Sequence, residues 1–148
     1  MKAEITYKEN FTFESKIRDH NFMMDTQAAA GGDNRGPSPK ELMLASILGC
    51  TGMDIIAVLK KYKLKPAKLL LRGDAEPRSE HPRIFKSVQI DFEVEGSNIP
   101  DEALKHAVHE SLTKFCGVSA MVTKVVPIHY KVILNGIEIG HGSANFDI

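Results

Sequence analysis

Cys50 and Cys116 are the only two cysteines among 148 residues, and they are the groups in this chain best suited to chemistry. A thiol is either a nucleophile and redox centre or a small apolar packing unit. Cys50 falls in the middle of an apolar run from Leu42 to Leu59. On a helix its one-turn neighbours are Met43, Ser46, Ile47, Met53, Asp54 and Ala57. Asp54 is out of character on such a helix. A carboxylate there needs a Lys, an Arg or a hydroxyl to meet it. Left unpaired beside Cys50, it would raise the thiol pKa, so a reactive Cys50 requires a positive charge nearby. Cys116 lies where a second helix breaks and the amides of Val118 to Met121 start another, a setting expected to favour its thiolate. His106 and His109 share a helix face with Cys116 two turns on, yet no Cys-x-x-Cys or His-Glu-x-x-His pattern is present and no metal is expected. Gly-rich phosphate loops and Gly-x-Ser-x-Gly are also absent from the sequence.

The elements that must position these thiols follow from patterning. Residues 3–8 and 11–18 alternate around a turn at Glu9-Asn10, with Ile5, Tyr7, Phe11, Phe13 and Ile17 as candidate inward positions. Asn21 to Thr26 reads as a third strand. Ala28 to Pro39 is an irregular Gly- and Pro-rich loop. Ser38-Pro39 with Glu41 is a helix start. The helix from about Pro39 to Tyr62 is apolar on nearly every side and belongs inside, and Lys60, Lys61 and Lys63 form its solvated end. Strands are expected at Lys68–Asp74 and Ile84–Glu95, the latter with Val88, Ile90, Phe92 and Val94 on one face. An amphipathic helix runs from Ile99 to about Cys116, broken by Gly117, with Ser119 capping a short helix at Ala120–Lys124. Asn135-Gly136 closes a last hairpin after Ile128–Leu134. The tail from Gly142 carries no pattern. This order argues one α+β domain over residues 1–148, with mostly antiparallel sheets packed around the long buried central helix.

Composition limits the partners. The chain is 43% hydrophobic and 26% charged, enough for a packed core. Nineteen basic and nineteen acidic residues cancel, so neither nucleic acid nor an anionic membrane is an expected partner. The start, Met1 to Lys8, alternates like a strand and lacks a signal-peptide core, and the compartment is expected to be the reducing cytoplasm.

Gly36-Pro-Ser-Pro-Lys-Glu-Leu42, Gly49-Cys50 and Phe115-Cys116-Gly-Val-Ser119 together resemble the OsmC and organic hydroperoxide resistance (Ohr) family. The wording around Cys50, Gly-Cys-Thr-Gly-Met-Asp-Ile-Ile, and the segment Pro82-Arg-Ile-Phe85 are similar to its YhfA-like branch. The resemblance implies an intertwined homodimer and a two-cysteine peroxidase for small apolar organic hydroperoxides in oxidative-stress defence. It implies that Cys50 is the peroxidatic thiol and Cys116 the resolving one, with an external dithiol as reductant and no bound cofactor. The family's glutamate follows a proline; here Lys40 intervenes and Glu41 comes next. Its arginine falls in a variable region, where Arg35 and Arg18 are both candidates. Cys116 is followed by Gly117 where the peroxidases usually have proline.

Glu41 and Cys50 are nine positions apart, about 13 Å along a straight helix and half a turn round. For Glu41 to serve Cys50 the helix must bend, or Glu41 must come from a partner subunit. The rival expectation is a dimeric module without peroxidase activity that binds a small ligand or senses oxidation. Lys40, Asp54 and the unaligned arginine favour it; the placement of both cysteines favours the enzyme.

Overall fold

The computed structural model describes residues 1–147. The chain forms two compact units, Met1–Met43 and Leu44–Ile148. In the first, β1 (Glu4–Glu9), β2 (Thr12–Ile17) and β3 (His20–Met24) make an antiparallel sheet in sequence order. The turns between them carry Asn10 and Arg18 in the left-handed region, at φ 46° and 55°. Alternation correctly marks these strands, but the inward positions are a correction. Ile5, Tyr7, Phe11, Phe13 and Ile17 are each 37–60% exposed. This unit has no helix long enough to cover a sheet face, so the apolar stripe stays open and Tyr7 packs across the strands on Phe13, 5.5 Å between ring centroids. The buried positions are polar: Thr12, Ser15 and Asp25.

Asp25 organises the loop that follows. Its carboxylate accepts the N–H groups of Thr26, Asp33 and Arg35 and the Thr12 hydroxyl, at 2.7, 3.3, 3.2 and 3.0 Å. Burial pushes this carboxyl up, the donors from Arg35, Thr26, Thr12 and Asp33 pull it down, and the net shift is down. Gly36 lets the loop pass β3 closely, since a Cβ there would lie 2.1 Å from the Met23 carbonyl oxygen.

The chain then enters α1 (Pro39–Lys61) through a capping box. The Ser38 N–H donates to Glu41 Oε2 at 2.6 Å and the Glu41 N–H to Ser38 Oγ at 3.4 Å. In the second unit, β4 (Lys68–Pro77), β5 (Phe85–Glu95), β6 (Ile128–Leu134) and β7 (Ile137–Ser143) form one sheet in that order. The β5–β6 pair is parallel and the others antiparallel. The parallel pair requires a crossover, which α2 (Asp101–Glu110) and α3 (Gly117–Thr123) supply, with α2 lying on β6 and β7. Val88, Ile90, Phe92 and Val94 face the core as alternation expects. Asn135 and Gly136, at φ 50° and 82°, turn the last hairpin.

From Leu44 onward α1 buries one stripe, Ile47, Thr51, Ile55, Val58 and Leu59, within that core. Its contact with β4 is close: Leu44 and Leu48 lie 3.0–3.1 Å from where a Cβ on Gly73 would sit. Part of its remaining apolar surface is open, with Met43 and Met53 exposed. An all-round apolar helix was expected inside; within this chain only one side of it is.

Two boundaries differ from expectation. The α2 helix gives way at Ser111–Phe115 to a π-helical turn, in which the Cys116 N–H donates to the Ser111 carbonyl at 2.9 Å. The break then falls at Cys116, which is extended at φ −71° and ψ 95°, while Gly117 begins α3 and Ser119 lies inside it rather than capping it.

Candidate functional site

Cys50 and Asp54 stand one turn apart on α1 and point the same way. Across from them, Cys116 caps α3 with its sulfur, which accepts the Ser119 N–H at 3.3 Å. The two sulfurs and an Asp54 carboxylate oxygen all lie within 4.8 Å of one another. Both cysteines are free thiols, Cys50 half-buried and Cys116 fully buried.

The π turn completes the pocket. It places Ser111, itself fully buried, so that its hydroxyl donates to Asp54 Oδ2 at 3.0 Å. This hydroxyl is the partner Asp54 was expected to need. Among the described residues no cation pairs with Asp54. Widening the helix also frees the Leu112 carbonyl, which accepts the Asn145 N–H of the C-terminal tail at 3.1 Å. That tie brings Phe146 over the thiols, where it is buried with Cys116 and Ala120 and packs near Cys50. The tail, patternless in sequence, is the cover of the site.

Burial pushes the Cys116 thiol up to about 11, its hydrogen bond to Cys50 adds to the rise, and Ser119 opposes it. The expectation that a helix start would favour the Cys116 thiolate is therefore overturned: the capping N–H is present, but removal from water outweighs it. Cys116 stays a thiol at neutral pH. The Ser119 hydroxyl beside it is fully buried with no hydrogen-bond partner among the described residues.

The other candidates lie in the first unit. Glu41 is held by its capping box with Ser38; the Ser38 N–H and hydroxyl lower its carboxyl pKa against a smaller rise from burial. Arg35 forms an ion pair with Glu9, and Arg18 sits in the β2–β3 turn. Phe115, which precedes Cys116 in the family motif, is 41% exposed with the Lys61 and Lys114 ammonium groups 5.7 and 5.3 Å from its ring. His106 packs edge-on against Tyr62, and both His106 and His109 are exposed. Ser111 and Phe146 went unrecognised in the sequence. A Ser five residues from a predicted helix end gives no sign that a π turn will aim it inward.

A family model for OsmC-like proteins matches residues 31–131. Protein YhfA of Escherichia coli K12 is 32% identical over 136 residues, covering 90% of this chain and 98% of YhfA. The chain belongs to the OsmC-like family. Its fold matches a crystal structure of a hypothetical protein from Aquifex aeolicus at 27% identity and TM-score 0.81, covering 90% of this chain and 95% of that one. The organic hydroperoxide resistance protein OhrB of Bacillus subtilis shares the fold at 20% identity and TM-score 0.59, over 91% of this OsmC-like chain and 98% of OhrB. The likeness to YhfA covers both cysteines and agrees with the branch read from the Gly49–Ile56 wording.

Proposed function

We propose that this OsmC-like protein acts in peroxide defence as a two-cysteine thiol peroxidase for small apolar organic hydroperoxides. The observation that carries the reading is the pairing of a half-buried Cys50 with a buried, protonated Cys116 inside 4.8 Å. In the first step the Cys50 thiolate attacks the terminal peroxide oxygen, the O–O bond breaks, and the alcohol leaves with a proton. Cys50 is now a sulfenic acid. The Cys116 sulfur then attacks the Cys50 sulfur, water leaves, and a disulfide forms. An external dithiol in a reducing compartment exchanges with that disulfide and restores both thiols. Their spacing means the second step needs only side-chain rotation. Cys116 keeps its proton until the sulfenic acid arrives, which leaves the attack to Cys50.

The proposal includes a homodimer. It rests on two open apolar surfaces: the Ile5, Tyr7, Phe13 and Ile17 stripe of the first sheet, and the free side of α1 around Met53. A groove of about 640 Å³ runs beside that helix, lined by Leu48, Gly49, Gly52, Met53, Leu69 and Leu71 among others. In such a dimer a cation for Cys50, and Glu41, come from the partner copy.

A second reading, an oxidation sensor without turnover, is favoured by Asp54, whose carboxylate stands beside the thiols where a peroxidase would place a cation. Turnover of cumene hydroperoxide with an excess of dithiol separates the two. The peroxidase consumes many equivalents and loses that activity in Cys50→Ser; a sensor consumes one equivalent per chain and stops.

A further inference from the structure

Cys50 and Asp54 on α1 and Cys116 at the start of α3 gather three metal-binding donors at one point. We infer that these three residues form a site for a thiophilic divalent cation of the zinc type, with the fourth position filled by an external ligand. This goes beyond peroxide chemistry, because it requires only the reduced thiols. The donor atoms all lie within 4.8 Å of one another. A tetrahedral zinc with two sulfurs and one carboxylate oxygen spans ligand-to-ligand distances of roughly 3.5–3.8 Å, so side-chain rotations of about 1 Å close the site. Cys50 and Asp54 project from successive turns of α1, and Cys116 is fixed as the cap of α3.

Three further observations point to a ligand. The Ser111 hydroxyl donates to Asp54 Oδ2, the arrangement by which a neighbour orients a carboxylate ligand. The Ser119 hydroxyl, wholly buried beside Cys116, has no hydrogen-bond partner among the described residues; a water on the fourth metal position is the kind of group that satisfies it. No cation among the described residues answers Asp54, and a dication supplies that charge. Each thiol that enters coordination releases its proton to solvent, so two thiolates and one carboxylate surround one M²⁺. Two sulfurs and one oxygen select zinc-group metals over Mg²⁺ or Ca²⁺. Cys50 and Asp54 are half-buried, which leaves a way in. A bound metal ties up both thiols and shields them reversibly from oxidants.

Anaerobic titration of the reduced full-length protein with Cd²⁺ and Co²⁺ tests this. The expected result is one metal per chain, an ultraviolet thiolate-to-metal charge-transfer band, a tetrahedral Co²⁺ visible spectrum, and displacement by Zn²⁺. Cys50→Ser and Cys116→Ser each lose the band or weaken binding at least about tenfold. Asp54→Asn keeps the band and weakens binding by about tenfold or more. Circular dichroism checks each variant's fold, and wild-type protein alkylated at Cys50 gives the same answer without a substitution: metal binding is lost. Absence of the band overturns the site. So does a band unchanged by Cys50 alkylation, which marks adventitious binding to surface histidines, or full affinity in Asp54→Asn. No peroxide enters the assay, so its outcome does not depend on whether the protein is a peroxidase.

Discussion

Cys116 has its sulfur against the Ser119 N–H and its side chain out of water, and the two effects oppose each other. Because burial wins, the thiol is raised from 9.0 to about 11. Between those values an unfolded chain loses the proton and the folded one keeps it, so folding stability falls as pH rises through that window. Iodoacetamide near neutral pH is expected to modify one thiol per folded chain, Cys50 by peptide mapping, with Cys116 reacting only as pH approaches 11. Equal labelling of both at neutral pH would remove the division of labour between them. Ser111→Ala leaves the Asp54 carboxylate without its donor and is expected to cost about 1–3 kcal/mol in urea unfolding. The need for a hydroxyl at Asp54 was legible in the sequence, because a carboxylate on an apolar helix must be met. Which hydroxyl was not. The N-cap departs from expectation for a related reason: Ser119 is the better capping residue type, but Cys116 occupies the capping position and its sulfur accepts the bond instead.

At the scale of elements, starts and turns were readable because they depend on local residue chemistry. Ser38-Pro39-x-Glu41 closes its capping box as its spacing requires. Asn135-Gly136 makes its hairpin and also clasps Gly96, whose N–H and carbonyl pair with the Asn135 side chain at 3.0 and 3.1 Å. Ser38→Ala is expected to cost about 1 kcal/mol. It also changes the acid limb. Glu41 has a lowered folded pKa, so its contribution is present above the ordinary carboxylate range and fades as pH falls through the lowered value. In Ser38→Ala that acid-dependent loss shrinks, as urea midpoints against pH will show. The π turn left no mark in the sequence, since it satisfies tertiary demands: Ser111 toward Asp54 and the Leu112 carbonyl toward Asn145. Phe146 depends on that turn. Phe146→Ala is expected to cost on the order of 3 kcal/mol and to speed Cys116 alkylation by uncovering it. An unchanged alkylation rate would mean the tail is not the cover.

For the whole molecule, the sequence conveyed an α+β chain with helices on mostly antiparallel sheets, and the resemblance supplied the family. What alternation could not convey is which apolar faces close within one chain. Tyr7, Phe13 and Met53 follow the same patterning as Val88 or Ile55, yet they remain exposed. If a second copy covers them, Tyr7→Asp and Met53→Asp each shift sedimentation from dimer to monomer while circular dichroism is retained. A wild-type monomer at micromolar concentration would contradict the dimer. The central claim, that Cys50 and Cys116 work as a peroxide-reducing pair, has a more direct test. Reduced protein is treated with one equivalent of cumene hydroperoxide without reductant, and free thiols are counted. The expected result is loss of both thiols from every chain, a Cys50–Cys116 disulfide in the peptide map, and no such loss in Cys50→Ser. Two free thiols per chain after excess peroxide would contradict it.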